Sequence, residues 1–184
     1  MNVILIGHRG SGKTSVGMEL AARLACPFYD SDLLIEEDSG STIPDLVETG
    51  GWSHFRERER EVIRKMAYLK NSVIATGGGA VMDHQNAALL KNIGVTIWLM
   101  ADAETIVRRL RRDEATSIPR PSLSGRDVVA ETASLLAERN PVYRHLACYA
   151  VDTSTKGICQ VVEEIDQYLL TCGNITREDA YHGG

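Results

Sequence analysis

The run Gly7-His8-Arg9-Gly10-Ser11-Gly12-Lys13-Thr14 has the residue types and spacing that suit phosphate. Its glycines let the backbone curl so that successive N–H groups point inward at phosphate oxygens. Lys13 has the reach for β- and γ-phosphates, and the Thr14 hydroxyl is a suitable Mg²⁺ ligand. A Gly-rich turn with a surface lysine is the bland alternative. The flanks disfavour it, because apolar Val3–Ile6 precedes the loop and a helical pattern over 13–25 follows. A helix there adds roughly half a positive charge at its N-terminus, aimed at the same anion. Residues Gly10, Ser11, Gly12, Lys13, Thr14 and Ser15 are therefore expected to cradle a nucleoside triphosphate, ATP with Mg²⁺.

Three further groups of residues carry potential chemistry. Asp30-Ser31-Asp32 places two carboxylates where an extended run turns into a helical one. Capping of that helix is one reading, since Asp suits an N-cap. The other makes one carboxylate part of a magnesium shell and the second a base for an acceptor hydroxyl. Gly77-Gly78-Gly79 is either a flexible turn or a stretch of bare backbone that approaches a ligand closely. In Phe55-Arg56-Glu57-Arg58-Glu59-Arg60-Glu61 the simplest reading is a solvated charged face. Helical spacing, with Trp52, Phe55, Val62, Met66 and Leu69 as the apolar stripe, puts Arg56 at the edge of the buried side. Arg139 comes just before Pro141, which is expected to interrupt its helix. Two arginines facing bare glycine backbone would hold a carboxylate or phosphate bidentately. Asp102 reads better as a helix cap than as a metal contact.

The elements that must position these residues alternate. Strands are expected at Val3–Ile6, Pro27–Tyr29, Val73–Ala75, Val95–Met100 and Tyr149–Val151. Helices are expected at 13–25, 33–39, 43–48, 52–69, 83–92, 103–112, 127–146 and 157–170. That order predicts an α/β fold, a five-stranded parallel sheet covered by helices on both faces. In such sheets ligands bind beyond the carboxyl ends of the strands. The phosphate loop, the aspartates and the triple glycine each follow a strand, so all three converge there. The Pro/Ser/Gly-rich stretch 114–125 is long enough for a cover over the site, and 173–184 reads as a polar tail to a single domain over 1–172.

At 184 residues, 43% apolar and 24% charged, the composition is that of an ordinary globular domain. The net charge of −5 argues against general nucleic-acid binding. No apolar run approaches a membrane span, and the four-residue run at the N-terminus is too short for a signal peptide. Cys26, Cys148, Cys159 and Cys172 lack metal-site spacing and read as free thiols, as expected of a cytoplasmic protein.

Taken together, Gly7–Thr14, Asp30-Ser31-Asp32 with Ile35-Glu36, Phe55-Arg56, Gly77-Gly78-Gly79-Ala80, Arg120-Pro121 and Arg139-x-Pro-x-Tyr resemble the shikimate kinase family from Val3 to about Leu169. That resemblance implies a three-layer P-loop fold of the nucleoside-monophosphate-kinase type and phosphoryl transfer from ATP to shikimate. It implies that Asp32 holds the acceptor hydroxyls and that Asp30 stands on the magnesium side. By the same resemblance Arg56, Arg139 and the Gly77–Gly79 backbone clamp the acceptor carboxylate. Arg120 corresponds to a lid arginine over the phosphates, and Arg109 to the residue packed on adenine, with Arg108, Arg111 and Arg112 as competitors for that place. A monomer is implied. Two departures stand out: Ser122 replaces a commoner apolar residue in the lid, and Asp152-Thr153-Ser154-Thr155 lacks the proline that often flanks adenine. The rivals are a kinase for another polyol acid such as gluconate, a nucleoside-monophosphate kinase, and a non-catalytic nucleotide-binding module.

Overall fold

The computed structural model describes residues 1–114 and 128–171. Arg120, almost all of the expected lid and the expected tail lie outside the described residues. Five strands form one sheet: β1 (Asn2–Ile6), β2 (Phe28–Asp30), β3 (Val73–Ala75), β4 (Gly94–Met100) and β5 (Tyr149–Asp152). Every pairing is parallel and the order is β2-β3-β1-β4-β5. The central strand Asn-Val-Ile-Leu-Ile is buried throughout, as a strand covered on both faces must be.

Alternation along β1 divides the core in two. Val3 and Leu5 join Val73, Ile97 and Leu99 beneath α1 (Lys13–Arg23) and α7 (Ile158–Thr171). Ile4 and Ile6 face the other way, with Ile74 and Trp98, under α2 (Ser31–Ser39), α3 (Ile43–Met66), α4 (His84–Ile93) and α6 (Val128–Leu146). The remaining helix, α5 (Ala103–Glu114), packs against α6. No helix among the described residues is long and apolar enough to cross a membrane.

Two expectations about helix α3 need adjusting. Its segments meet at Gly51, the one non-helical residue inside Ile43–Met66, with φ of 72°. The buried positions beyond that break are Phe55, Glu59, Val62, Ile63 and Met66. Glu59 thus occupies the apolar stripe, while Trp52 is 59% exposed and stands at the cavity rim instead of in the core. A third correction concerns Pro141. Helix α6 runs through it without a break. The hydrogen bond that proline cannot donate would have gone to the carbonyl of Ala137, an exposed residue.

Candidate active site

A cavity of about 900 Å³ opens beyond the carboxyl ends of the strands. Each expected site residue within the described part of the chain lines it. Among the described residues, seven cationic side chains (Arg9, Lys13, Arg56, Arg109, Arg112, Arg139, Lys156) and four acidic ones line the cavity. A chain of net charge −5 has therefore built a locally positive basin, which selects anionic ligands.

The phosphate-binding part of the nucleotide side is one continuous piece of chain. Gly10 and Gly12 have φ of 79° and 95°, conformations that β-carbons disfavour. Gly12 caps α1 without a side chain, so the first-turn amides are unobstructed by any cap. Lys13 is folded onto the loop, its Nζ donating to the Gly7 and His8 carbonyls at 2.8 and 2.9 Å. Burial brings its pKa down from 10.5 to about 8, against the opposing pull of Asp32 and Asp30. Arg109 is tied into this region. Its Nη1 donates to the Gly10 carbonyl at 3.2 Å and to Thr153 Oγ1 at 3.0 Å, and its Nη2 to the Thr153 carbonyl at 2.6 Å. Arg108 turns back onto Thr105 of its own helix. Thr153 also donates its hydroxyl toward the Ser11 and Met100 carbonyls.

Asp30 caps α2 and also reaches the phosphate loop. Oδ1 accepts from the Asp32 N–H at 3.0 Å, capping α2, while Oδ2 accepts from Thr14 Oγ1 at 2.8 Å. The Thr14 hydroxyl and a carboxylate oxygen side by side form a hard-oxygen donor pair at the loop's mouth. Such a pair fits Mg²⁺, which takes one or two protein oxygens and completes its shell with phosphates and water. Asp102 serves as a cap, accepting the Thr105 N–H at 2.6 Å.

The acceptor side is assembled from distant segments. Arg56 Nη1 pairs with Glu59 Oε2 at 2.6 Å, and its guanidinium lies 5.8 Å from the Trp52 ring centroid. Glu59 is 1% exposed, and burial raises its pKa above the ordinary 4.5 despite Arg56. The triple glycine is needed for close approach. A β-carbon at Gly77 would meet Asp32 Oδ1 at 2.7 Å, one at Gly78 the Arg9 nitrogen at 2.9 Å, and one at Gly79 Arg56 Nη2 at 2.7 Å. The Gly77 N–H donates to Ser31 Oγ at 2.8 Å, so this glycine contributes space rather than a spare amide. Tyr143 donates its hydroxyl to the Gly78 carbonyl.

Sequence reasoning gave no role to Ser31, Glu59, Tyr143 or Thr153, although the first and the last two fell within the motifs quoted above. Glu59 carried a signal of its own, its spacing of four and seven residues from Phe55 and Met66.

Comparison with known proteins fits this geometry. The shikimate kinase family model matches residues 9–170. The chain belongs to the shikimate kinase family. A shikimate kinase of Syntrophus aciditrophicus (strain SB) is 48% identical over 172 residues, 89% of this chain and 88% of its own length. Another, from Symbiobacterium thermophilum, is 43% identical over 94% of this chain and 98% of its own. The solved structure of shikimate kinase from Acinetobacter baumannii in complex with shikimate superposes with a TM-score of 0.86, at 36% identity over 93% of each chain. Membership of the shikimate kinase family makes this chain an ATP-dependent kinase of the P-loop, nucleoside-monophosphate-kinase-like fold.

Proposed function

We propose that this chain transfers the γ-phosphoryl group of ATP to the 3-hydroxyl of shikimate, giving shikimate 3-phosphate and ADP. One observation carries the reading: the phosphate loop shares a single cavity with Asp32, Arg56, Arg139 and the triple glycine. Phosphoryl transfer asks for alignment and charge neutralisation more than covalent chemistry. Lys13 exchanges its loop carbonyls for the β- and γ-phosphates, stabilising charge as the bond to the β–γ bridging oxygen breaks. Asp32 orients the 3-hydroxyl and accepts its proton as the new P–O bond forms. Arg56 and Arg139, with the Gly78–Gly79 backbone, hold the acceptor carboxylate. Arg109 packs on the adenine, and Arg120 belongs to the lid that closes over the phosphates and excludes water. Thr14 and Asp30 would hold Mg²⁺, which supplies charge neutralisation on the phosphates when bound. The protein acts as a cytoplasmic monomer, in a single domain over 1–172.

The test is ADP release from ATP and Mg²⁺ with and without shikimate, with the product identified by mass. Strong stimulation with formation of shikimate 3-phosphate is expected. ATP binding without stimulation would leave the nucleotide half standing and overturn the choice of acceptor.

A further inference from the structure

Tyr143 lies one helical turn beyond Arg139 on α6, so both side chains leave the same face of that helix. Its ring is 1% exposed and rests against Trp98 of β4, centroids 5.9 Å apart. From that fixed base the hydroxyl donates to the Gly78 carbonyl and lies under the influence of the Arg139 charge. Burial moves the hydroxyl up to about 12, so it stays protonated and keeps donating across the working pH range.

The Gly78 carbonyl and the Gly79 N–H belong to one planar trans peptide and point in opposite directions. Fixing the carbonyl toward Tyr143 therefore fixes the Gly79 N–H away from it. Glycines on either side of that peptide offer little resistance to its rotation, so the orientation depends on an outside contact. One hydroxyl thus binds the backbone unit assigned above to the acceptor carboxylate, one helical turn from the arginine assigned to the same group.

We propose that Tyr143 is a positioning residue for the acceptor carboxylate, holding Arg139 and the Gly78–Gly79 peptide in register with each other. This rests on the acceptor-side reading above. Tyr143 does not touch the substrate; it acts through the two groups that do.

Tyr143→Phe keeps the ring on Trp98 and removes only the hydroxyl. The KM for shikimate is expected to rise about tenfold, the worth of one hydrogen bond. The KM for ATP and kcat are expected to stay within about twofold. The preference for shikimate over its carboxamide is expected to shrink by the same factor as the KM rises, which a loss of packing would not produce. In an Arg139→Ala background the effect of Tyr143→Phe is expected to fall to a fraction of its single-variant size. An unchanged shikimate KM, or ATP and shikimate KM values rising together, overturns the proposal. Should the phenylalanine variant not fold, the wild-type protein answers through its Tyr143 ring ¹³Cζ resonance. A shift on adding shikimate but not ADP supports the role, and indifference to shikimate overturns it. Wild-type turnover of shikimate separates the two levels. Its absence defeats the function and this role together, whereas turnover indifferent to Tyr143→Phe defeats this role alone.

Discussion

The two halves of the cavity are built in different ways. The phosphate-binding part of the nucleotide half is one loop and one helix start, and its key cation is satisfied by that loop's own carbonyls six and five residues away, with Arg109 and Thr153 joining it from α5 and the segment after β5. The acceptor half draws on α2, α3, the segment after β3 and α6, joined by contacts such as Ser31 to Gly77 and Tyr143 to Gly78, 46 and 65 residues apart. A local device depends on backbone conformation, and point substitutions reach the phosphate loop itself mainly through glycines and Lys13. An assembled device depends on each side chain that spans two segments. Substitutions in the acceptor half should therefore separate cleanly from ATP binding, and the expected outcomes below test that separation.

The largest effect belongs to the place where the halves meet. Asp32→Asn is expected to lower kcat by about a thousandfold, the upper part of the range for a positioned base, with ADP affinity by calorimetry within about twofold of wild type. Normal turnover would remove Asp32 from the mechanism. Next comes Arg139→Ala, for which steady-state kinetics should show shikimate KM up by roughly thirtyfold and ATP KM nearly unchanged. A parallel rise in both would erase the contrast between the halves.

The converse is expected from the nucleotide side. Thr153→Val removes the hydroxyl that meets Arg109, Ser11 and Met100, so ATP KM should rise about fivefold while shikimate KM holds. The smallest effect is on stability. Burial holds the Glu59 carboxyl above 4.5 in the folded protein, so the folded state binds that proton more tightly than the unfolded chain. Its contribution favours folding fully below pH 4.5 and is lost as pH rises through the folded value. Glu59→Gln is therefore expected to gain melting temperature relative to wild type, by a few degrees, between pH 4.5 and neutrality. The same change should raise shikimate KM a few-fold, because Arg56 loses its ionic partner. A difference in melting temperature that shrinks as pH rises would contradict the reading of Glu59.

The same contrast explains what was legible in the sequence. The five strands and the phosphate loop are local patterns, and both are where spacing places them. Asp30 was ambiguous between cap and metal side because its two oxygens face two different partners. Glu59 was hidden in a charged run, since composition alone reads such runs as solvated, and only the burial of Phe55, Val62 and Met66 around it shows otherwise. Trp52 misled in the opposite sense, being apolar yet at the rim after the Gly51 break. Pro141 misled because the lost hydrogen bond falls at Ala137, on the exposed side of α6. The bond from Thr153 to Ser11 gave no signal, because the two are 142 residues apart in the chain.

The most direct test of two separately built halves is a crossed binding measurement by calorimetry, shikimate into Lys13→Met and ADP into Arg56→Ala. Each variant is expected to bind the ligand of its intact half within about twofold of wild type and to lose most of its affinity for the other. Either substitution weakening both ligands alike would contradict the account.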